Sequence, residues 1–308
     1  MPVTPVEKIW MDGELVAWED AKIHVLTHAL HYGTGVFEGV RAYETRRGPA
    51  VFRLEDHVRR LFRSAHIYQI EIPYAPDEIS EAIKDTVRAN GLRSCYIRPL
   101  VFRGYGEMGL NPLLAPVNVA IAVWAWGAYL GEEGLENGVR AKVSSWKRND
   151  HNMLPPFAKA TGQYINSGLA KVEALKGGYD EAIMLNVHGY VTDGSGENVF
   201  IVKDGALFTP PLSAGCLDGI TRDSVITIAR DLGYEVAERE LVRADLYTAD
   251  EAFFSGTAAE VCPIREIDDR AVGANGRGPI TKEIQQTFFA AARGDIDKYE
   301  RWLAPVND

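Results

Sequence analysis

The stretch Pro155-Pro-Phe-Ala-Lys-Ala-Thr-Gly-Gln-Tyr164 sets one lysine, Lys159, among apolar and small residues, with Tyr164 closing the run. Burying an ammonium is costly unless it is paired or neutralised, so most lysines lie on solvated surfaces. A lysine in this setting is a candidate for a depressed pKa and for amine chemistry such as a Schiff base. The plain alternative is a snorkelling side chain at the end of an element. Lys159 alone does not choose between them; the rest of the chain does.

Downstream, Val191-Thr-Asp-Gly-Ser-Gly-Glu-Asn-Val-Phe200 places two acids and two glycines between strand-like segments. A nucleotide-binding Gly-X-Gly loop would need a third glycine opening a helix, and a strand follows instead. A simple turn and a carboxylate held at a strand end near a cation both remain open. In Leu217-Asp-Gly-Ile-Thr-Arg-Asp-Ser224 a glycine leads into a helix, whose first N–H groups and dipole suit a phosphate. An ordinary capped helix is the alternative. Ser255-Gly-Thr-Ala-Ala259 is a small-residue turn able to present backbone N–H groups to an anion.

Upstream, Tyr32 to Tyr43 is dense in aromatic residues and glycine. Tyr96-Ile-Arg-Pro-Leu100 sets Arg98 in an otherwise apolar strand, where it needs an anionic partner, either a core carboxylate or a substrate.

The chain has 308 residues, 46% hydrophobic and 25% charged, which suits a globular protein of two domains. A net charge of −10 argues against nucleic-acid binding, though local arginines can still take an anionic substrate. No leader pattern and no bilayer-length apolar run is visible. Cys95, Cys216 and Cys262 are too scattered for a disulfide framework or a metal site. A cytoplasmic enzyme with reduced thiols and no metal is the expectation.

Periodicity predicts an α+β chain. A hairpin turns at Asp12-Gly13 between Ile9 and Trp18, and strands Val36–Tyr43 and Ala50–Leu54 pair. Helical spacing follows at Leu54, Val58, Leu61, Phe62 and Ala65, and at Ile79, Ala82, Ile83 and Val87. Strands are expected at Cys95–Phe102, Val117–Trp126 and Val139–Trp146, then over 181–189 and 197–208. A helix carries Val225, Ile228, Ala229 and Leu232, ended by Gly233 at C′, and a last helix spans Thr281–Ala292. A small domain at 1–126, a Gly- and Glu-rich linker at 127–138 and a larger domain at 139–308 are the expected division.

Taken in order, HALHYGTGVFEGVRAY (28–43), YIRPL (96–100), WGAYLG (126–131), AKATGQY around Lys159, GSGEN (194–198), GITRDS (219–224) and SGTAAEV (255–261) resemble the fold-type IV pyridoxal-phosphate enzymes. Among these they resemble the branched-chain amino acid aminotransferases, from Ile9 through Trp302. The resemblance implies a small N-terminal α/β domain joined by an interdomain loop to a larger cofactor-binding domain. It implies transfer of the amino group of L-leucine, L-isoleucine or L-valine to 2-oxoglutarate, and the reverse. The close alternatives on this fold are D-amino acid aminotransferase, (R)-amine transaminase and aminodeoxychorismate lyase. A non-catalytic cofactor carrier is a more distant one.

By that resemblance Lys159 anchors pyridoxal 5′-phosphate as a Schiff base and shuttles the proton. Tyr164 hydrogen-bonds the phenolic oxygen, and Leu217 packs on the ring. Arg60, Ile220, Thr221 and Thr257 take the phosphate. Backbone N–H groups of Thr257, Ala258 and Ala259 hold the substrate carboxylate. Tyr32, Phe37, Gly39, Tyr96, Tyr164, Trp126 and Ala259 belong to the side-chain pocket, with Met108 and Leu110 arriving from a partner subunit. A leucine-sized side chain buried there contributes about 2–3 kcal/mol. Arg98, Tyr32 and Tyr129 take the second carboxylate of glutamate. At least a homodimer follows, with a trimer of dimers also open, and neither nucleic acid nor membrane is an expected partner.

One departure stands out. The family usually has glutamate before Gly-Ser-Gly, pairing with the pyridine nitrogen; here the residue is Asp193, one methylene shorter. Asp193 is still expected to contact that nitrogen.

Overall fold

The computed structural model describes residues 3–127 and 129–307, so Ala128 of the 126–131 motif lies outside the described residues. The chain forms two compact units: residues 1–126, 158–162 and 291–308, and residues 127–157 and 163–290. This differs from the sequence-based division in three segments, the first being the expected linker at 127–138, which belongs to the second unit and carries helix Glu132–Asn137. Residues 158–162 return to the first unit because Ala160 bridges Val36, and the C-terminus returns because Leu303–Pro305 pairs with Gly48–Phe52.

The first unit is built on an eight-stranded sheet among the described residues. Its order is Leu303–Pro305, Gly48–Phe52, Val40–Thr45, Cys95–Arg103, Val117–Trp124, Lys8–Met11, Glu14–Ala17, with Gly35–Phe37 also beside Cys95–Arg103. The expected hairpin turns at Asp12 and Gly13, both at positive φ (49° and 103°), the geometry that matches strand twist. Helices Leu54–Ile67 and Pro76–Ala89 cover one face, packing Leu54, Val58, Leu61, Ile79, Ile83 and Val87 against Val36, Ile97, Val101, Ile121 and Val123.

The expected strand Val36–Tyr43 is interrupted. Phe37 pairs with Leu100 and Val40 with Ile97, which sets Glu38 opposite Pro99. Pro99 has no N–H to donate, so the ladder breaks there while its carbonyl still accepts the Glu38 N–H at 2.9 Å. Strand alternation then sorts the side chains. Val36, Glu38, Ile97 and Pro99 share the helix-covered face, and Phe37, Gly39, Tyr96, Arg98 and Trp124 share the other.

The second unit carries a nine-stranded sheet among the described residues. Its order is Val191–Gly194, Glu181–Leu185, Val139–Lys147, Glu260–Ile267, Glu251–Gly256, Asn198–Lys203, Ala206–Thr209, Val236–Glu238, with Arg270–Ala271 on Glu260–Ile267. Pairing is mixed: Val139–Lys147 runs parallel to both of its neighbours, and most other pairs are antiparallel. Both units are α+β. Helix Ile220–Asp231 packs against Glu251–Gly256, and Gly233 follows it at φ 91°, as the sequence predicts. Helix Tyr164–Lys176 has no counterpart in the sequence reading. Its exposed positions Ile165, Leu169, Val172 and Leu175 are apolar and blur the amphipathic period.

No helix among the described residues is long and apolar enough to cross a membrane. No group of three or more His, Cys, Asp or Glu side chains able to hold a metal occurs among them either.

Candidate active site

Lys159 is fixed by its backbone. Its carbonyl accepts from the Phe37 N–H at 3.0 Å, and its own N–H donates to Ser64 Oγ at 3.0 Å. Ala158 and Ala160 on either side are buried, so the lysine is held from two elements while its side chain stays half-buried. Nζ lies 5.0 Å from the centroid of the Phe37 ring.

The same ring receives a second cation. Arg98 Cζ stands 4.7 Å from the Phe37 centroid, 5.4 Å from that of Tyr96 and 5.9 Å from that of Trp124. Its Nε is buried without a hydrogen bond, and no carboxylate among the described residues pairs with it. Of the two partners open to Arg98 in the sequence, the core carboxylate is absent. Three π faces stabilise the guanidinium and, apart from a long contact of Nη2 to Tyr96 Oη at 3.5 Å, leave its donors for an anion from outside. Tyr96 also explains Gly39: a Cβ there would fall 1.9 Å from Tyr96 Oη. Trp126 meets Tyr96 edge-on, with centroids 4.5 Å apart.

On the helix-covered face the spacing of Leu54–Ile67 makes a second, polar stripe. His57, Arg60 and Ser64 fall at i, i+3 and i+7, beside the apolar Leu54, Val58, Leu61 and Ala65, and all seven are buried. Arg60 Nε and Nη2 donate to the two Glu38 oxygens at 2.7 and 2.8 Å, and His57 Nδ1 lies 2.7 Å from Glu38 Oε2. Burial by itself would raise the Glu38 carboxyl, but Arg60 and His57 outweigh it and hold it well below the usual carboxylate range. Burial also lowers His57, so the neutral ring donates its Nδ1–H to Glu38.

In the second unit the start of helix Ile220–Asp231 fits a phosphate. Gly219 at the N-cap makes no side-chain cap bond, and Ile220 and Thr221 are buried, so the first N–H groups lack the usual partner. Asn198 holds the approach: Nδ2 donates to the Leu217 carbonyl at 2.9 Å, and a Cβ on Gly219 would meet Asn198 Oδ1 at 1.9 Å. Leu217 is half-buried just before this cradle. Thr257, Ala258 and Ala259 form the three-residue turn between Glu251–Gly256 and Glu260–Ile267, and Glu260 closes it at φ 57°, rare for a non-glycine.

Asp193 lies on Val191–Gly194, where Thr192 is an extra residue: Val191 faces Leu185 and Asp193 faces Met184. Such a bulge re-aims the following side chain. Burial pushes the Asp193 carboxyl up, against the pull of Arg148 and Thr192. Nearby, Glu197 is pushed up to about 8 by burial and by the Glu181 carboxylate, and Lys171 Nζ pairs with Glu181 at 2.6 Å.

Tyr32 and the loop of Met108 and Leu110 meet on the first unit. Tyr32 Oη donates to the Met108 carbonyl at 3.1 Å, and buried His28 joins Nε2 to the Gly109 carbonyl at 2.8 Å. Leu110 is 85% exposed. Tyr129 meets the Lys171 ammonium over its ring at 5.3 Å. Tyr164 opens its helix half-buried. Glu38, His57, Ser64, Trp124, Arg148 and Asn198 were missing from the sequence reading. The polar stripe of the Leu54 helix was a usable signal for two of them; Arg148 and Asn198 carried no local signal.

Residues 35–267 match the family described as Amino-transferase class IV. The chain is 53% identical over 298 residues to the branched-chain-amino-acid aminotransferase of Pseudomonas aeruginosa, covering 97% of each chain. The solved branched-chain amino acid aminotransferase of Escherichia coli superposes with a TM-score of 0.96 at 51% identity, over 98% of this chain and 100% of that one. The branched-chain amino acid aminotransferase from Thermobaculum terrenum, solved in its PLP-form, superposes with a TM-score of 0.93 at 37% identity, over 99% of each chain.

Proposed function

Because the chain belongs to the class IV aminotransferases, we propose that it transfers the amino group of L-leucine, L-isoleucine or L-valine to 2-oxoglutarate, and runs the reverse reaction, with pyridoxal 5′-phosphate as cofactor. The observation that carries the substrate assignment is Arg98, a guanidinium set among three aromatic rings with no carboxylate beside it among the described residues. Aromatic walls accept a branched aliphatic side chain, and the waiting guanidinium accepts the second carboxylate of the acid substrate.

When bound, the cofactor supplies an electron sink for the pair left at the substrate Cα. The chain does the rest. Lys159 Nζ would carry the cofactor and move the Cα proton, with its backbone pinned by Phe37 and Ser64 so that the amine is presented from a fixed point. Arg60, the N–H groups of Ile220 and Thr221, and Thr257 would hold the phosphate. Glu38 orients Arg60 and offsets its charge. Tyr164, Asp193 and Leu217 would hold the ring. Ala258 and Ala259 complete the carboxylate turn. Phe37, Tyr96 and Trp126 would line the side-chain pocket around Gly39.

We assign Tyr32, Met108 and Leu110 together to the site of a second copy, since one hydrogen bond binds Tyr32 to that exposed loop. Leu30, Leu113 and Leu114 are exposed as well, an apolar surface in keeping with a homodimer. Cys95, Cys216 and Cys262 are unbridged, in keeping with the cytoplasm.

The test is a half-reaction panel. L-leucine converts the bound cofactor to its pyridoxamine form in the wild type, and D-alanine and (R)-1-phenylethylamine do so far more slowly. Lys159→Ala loses the conversion. Equal rates for leucine and the (R)-amine, or an active Lys159→Ala, would overturn the assignment.

A further inference from the structure

Asp193 makes its hydrogen bonds through one oxygen only. Oδ1 accepts from Arg148 Nε at 3.0 Å and from Arg148 Nη2 at 2.9 Å. Thr192 Oγ1 lies 2.8 Å from the same oxygen and 3.0 Å from the Met184 carbonyl, so its one proton is shared between two acceptors. Oδ2 makes no hydrogen bond to the described residues and keeps some solvent exposure, the Asp193 side chain being 11% exposed. A carboxylate whose one oxygen is tied to the chain and whose other opens to solvent from a largely buried side chain can accept from a donor outside the chain.

Arg148 is itself held from every side. Its backbone N–H donates to the Leu185 carbonyl at 2.9 Å, Nη1 donates to Ser167 Oγ at 2.9 Å, and Nη2 also reaches the Gly194 carbonyl at 2.7 Å. The guanidinium is buried and cannot move toward another acceptor without breaking these bonds. A fixed fork that takes Oδ1 by two of its N–H groups leaves the carboxylate little freedom to rotate, and so fixes where Oδ2 points.

We propose that Arg148 is a positioning residue that locks Oδ1 of Asp193, so that Oδ2 is presented, ionised, to the protonated ring nitrogen of the cofactor. This rests on the reading of the site given above. The lock offers a physical reason why a side chain one methylene shorter than glutamate can serve here. A short carboxylate has less reach but fewer rotamers, and with the bulge at Thr192 and the fork of Arg148 its direction is set by the surroundings. Losing the fork leaves a buried carboxylate with no compensating charge, which takes up a proton and ceases to accept from the ring.

The experiment titrates apoprotein with pyridoxal 5′-phosphate and follows the visible band of the bound cofactor against pH, for wild type, Arg148→Gln, Arg148→Lys, Asp193→Asn and the double variant Arg148→Gln/Asp193→Asn. Arg148→Gln is expected to weaken cofactor binding about tenfold or more and to move the titration midpoint upward, as Asp193→Asn does. Arg148→Lys, which keeps the charge but not the fork, is expected to fall between Arg148→Gln and wild type. Adding Arg148→Gln to Asp193→Asn is expected to change neither quantity further. Wild-type affinity and midpoint in Arg148→Gln would overturn the proposal, as would a full additional loss in the double variant. Should Arg148→Gln fail to fold, as read by circular dichroism of the apoprotein, Arg148→Lys decides: an unshifted midpoint rejects the lock. Failure of wild type to bind the cofactor would instead reject the proposed function itself.

Discussion

Arg98 Cζ and the Phe37 ring centroid are 4.7 Å apart, on a sheet face where register, not sequence proximity, brings them together. With no carboxylate at hand among the described residues, the guanidinium is stabilised by π faces and can take a substrate carboxylate or go without one. Arg98→Met is therefore expected to raise KM for 2-oxoglutarate by about ten- to hundredfold, the equivalent of one charge-assisted hydrogen bond of ~1.5–3 kcal/mol. KM for 4-methyl-2-oxopentanoate should change less than about threefold, as that substrate has no second carboxylate. Steady-state kinetics with the two acceptors checks this, and equal losses on both would remove Arg98 from acid recognition.

Glu38 is fully buried between Arg60 and His57, and removing its charge strands a guanidinium in the interior. Glu38→Gln is expected to cost about 3–5 kcal/mol at pH 7, read by urea denaturation. Because the folded-state carboxyl is held low, its contribution is present above the ordinary glutamate pKa and is lost as pH falls. The gap between variant and wild type should then narrow at pH 4.

Glu197 has the opposite sign. Burial and Glu181 push it up to about 8, so the native state binds a proton that the unfolded chain releases at a lower pH. Wild-type stability should fall as pH rises from 5 to 8, and Glu197→Gln should remove that loss. The advantage of the variant is expected to grow over this window by up to about 4 kcal/mol, at 1.36 kcal/mol per unit. Lys171 and Asp193 share this environment, so denaturation curves of Glu197→Gln at both pH values, rather than of the wild type alone, isolate the group. A pH-independent difference would refute the assignment.

Gly219 opens the proposed phosphate cradle, and a methyl there would stand 1.9 Å from Asn198 Oδ1. Gly219→Ala is expected to destabilise the protein by about 1–3 kcal/mol and to weaken cofactor binding, as Asn198 releases the Leu217 carbonyl. Thermal melts of the apoprotein and cofactor titration read the two effects separately. A variant that melts and binds like wild type would show that the cradle has room to spare.

Much of this was legible along the chain. Asp12-Gly13, the spacing of Leu54, Val58, Leu61 and Ala65, and Gly233 at C′ act through local backbone chemistry, and the elements form where they indicate. Lys159 stands out in the sequence because an amine among small apolar residues is chemically conspicuous, and the order of its companion motifs carried the family. The strand at Val36–Tyr43 was misjudged because its break depends on Pro99, far along the chain, and helix Tyr164–Lys176 was missed because its outer face is apolar.

By itself, then, the sequence determined the residue types, the α+β class and the family, since local propensities and ordered motifs are properties of a one-dimensional chain. Tertiary structure decided the partners. Glu38 reached Arg60 and His57 because strand alternation turned it to the helix-covered face, and Arg98 stacked on Phe37 and Trp124 because antiparallel register put them on one face. Asp193 was turned by a bulge and locked by Arg148, 45 residues away in sequence. Such pairings depend on hydrogen-bond register and burial, which exist only once distant segments have met.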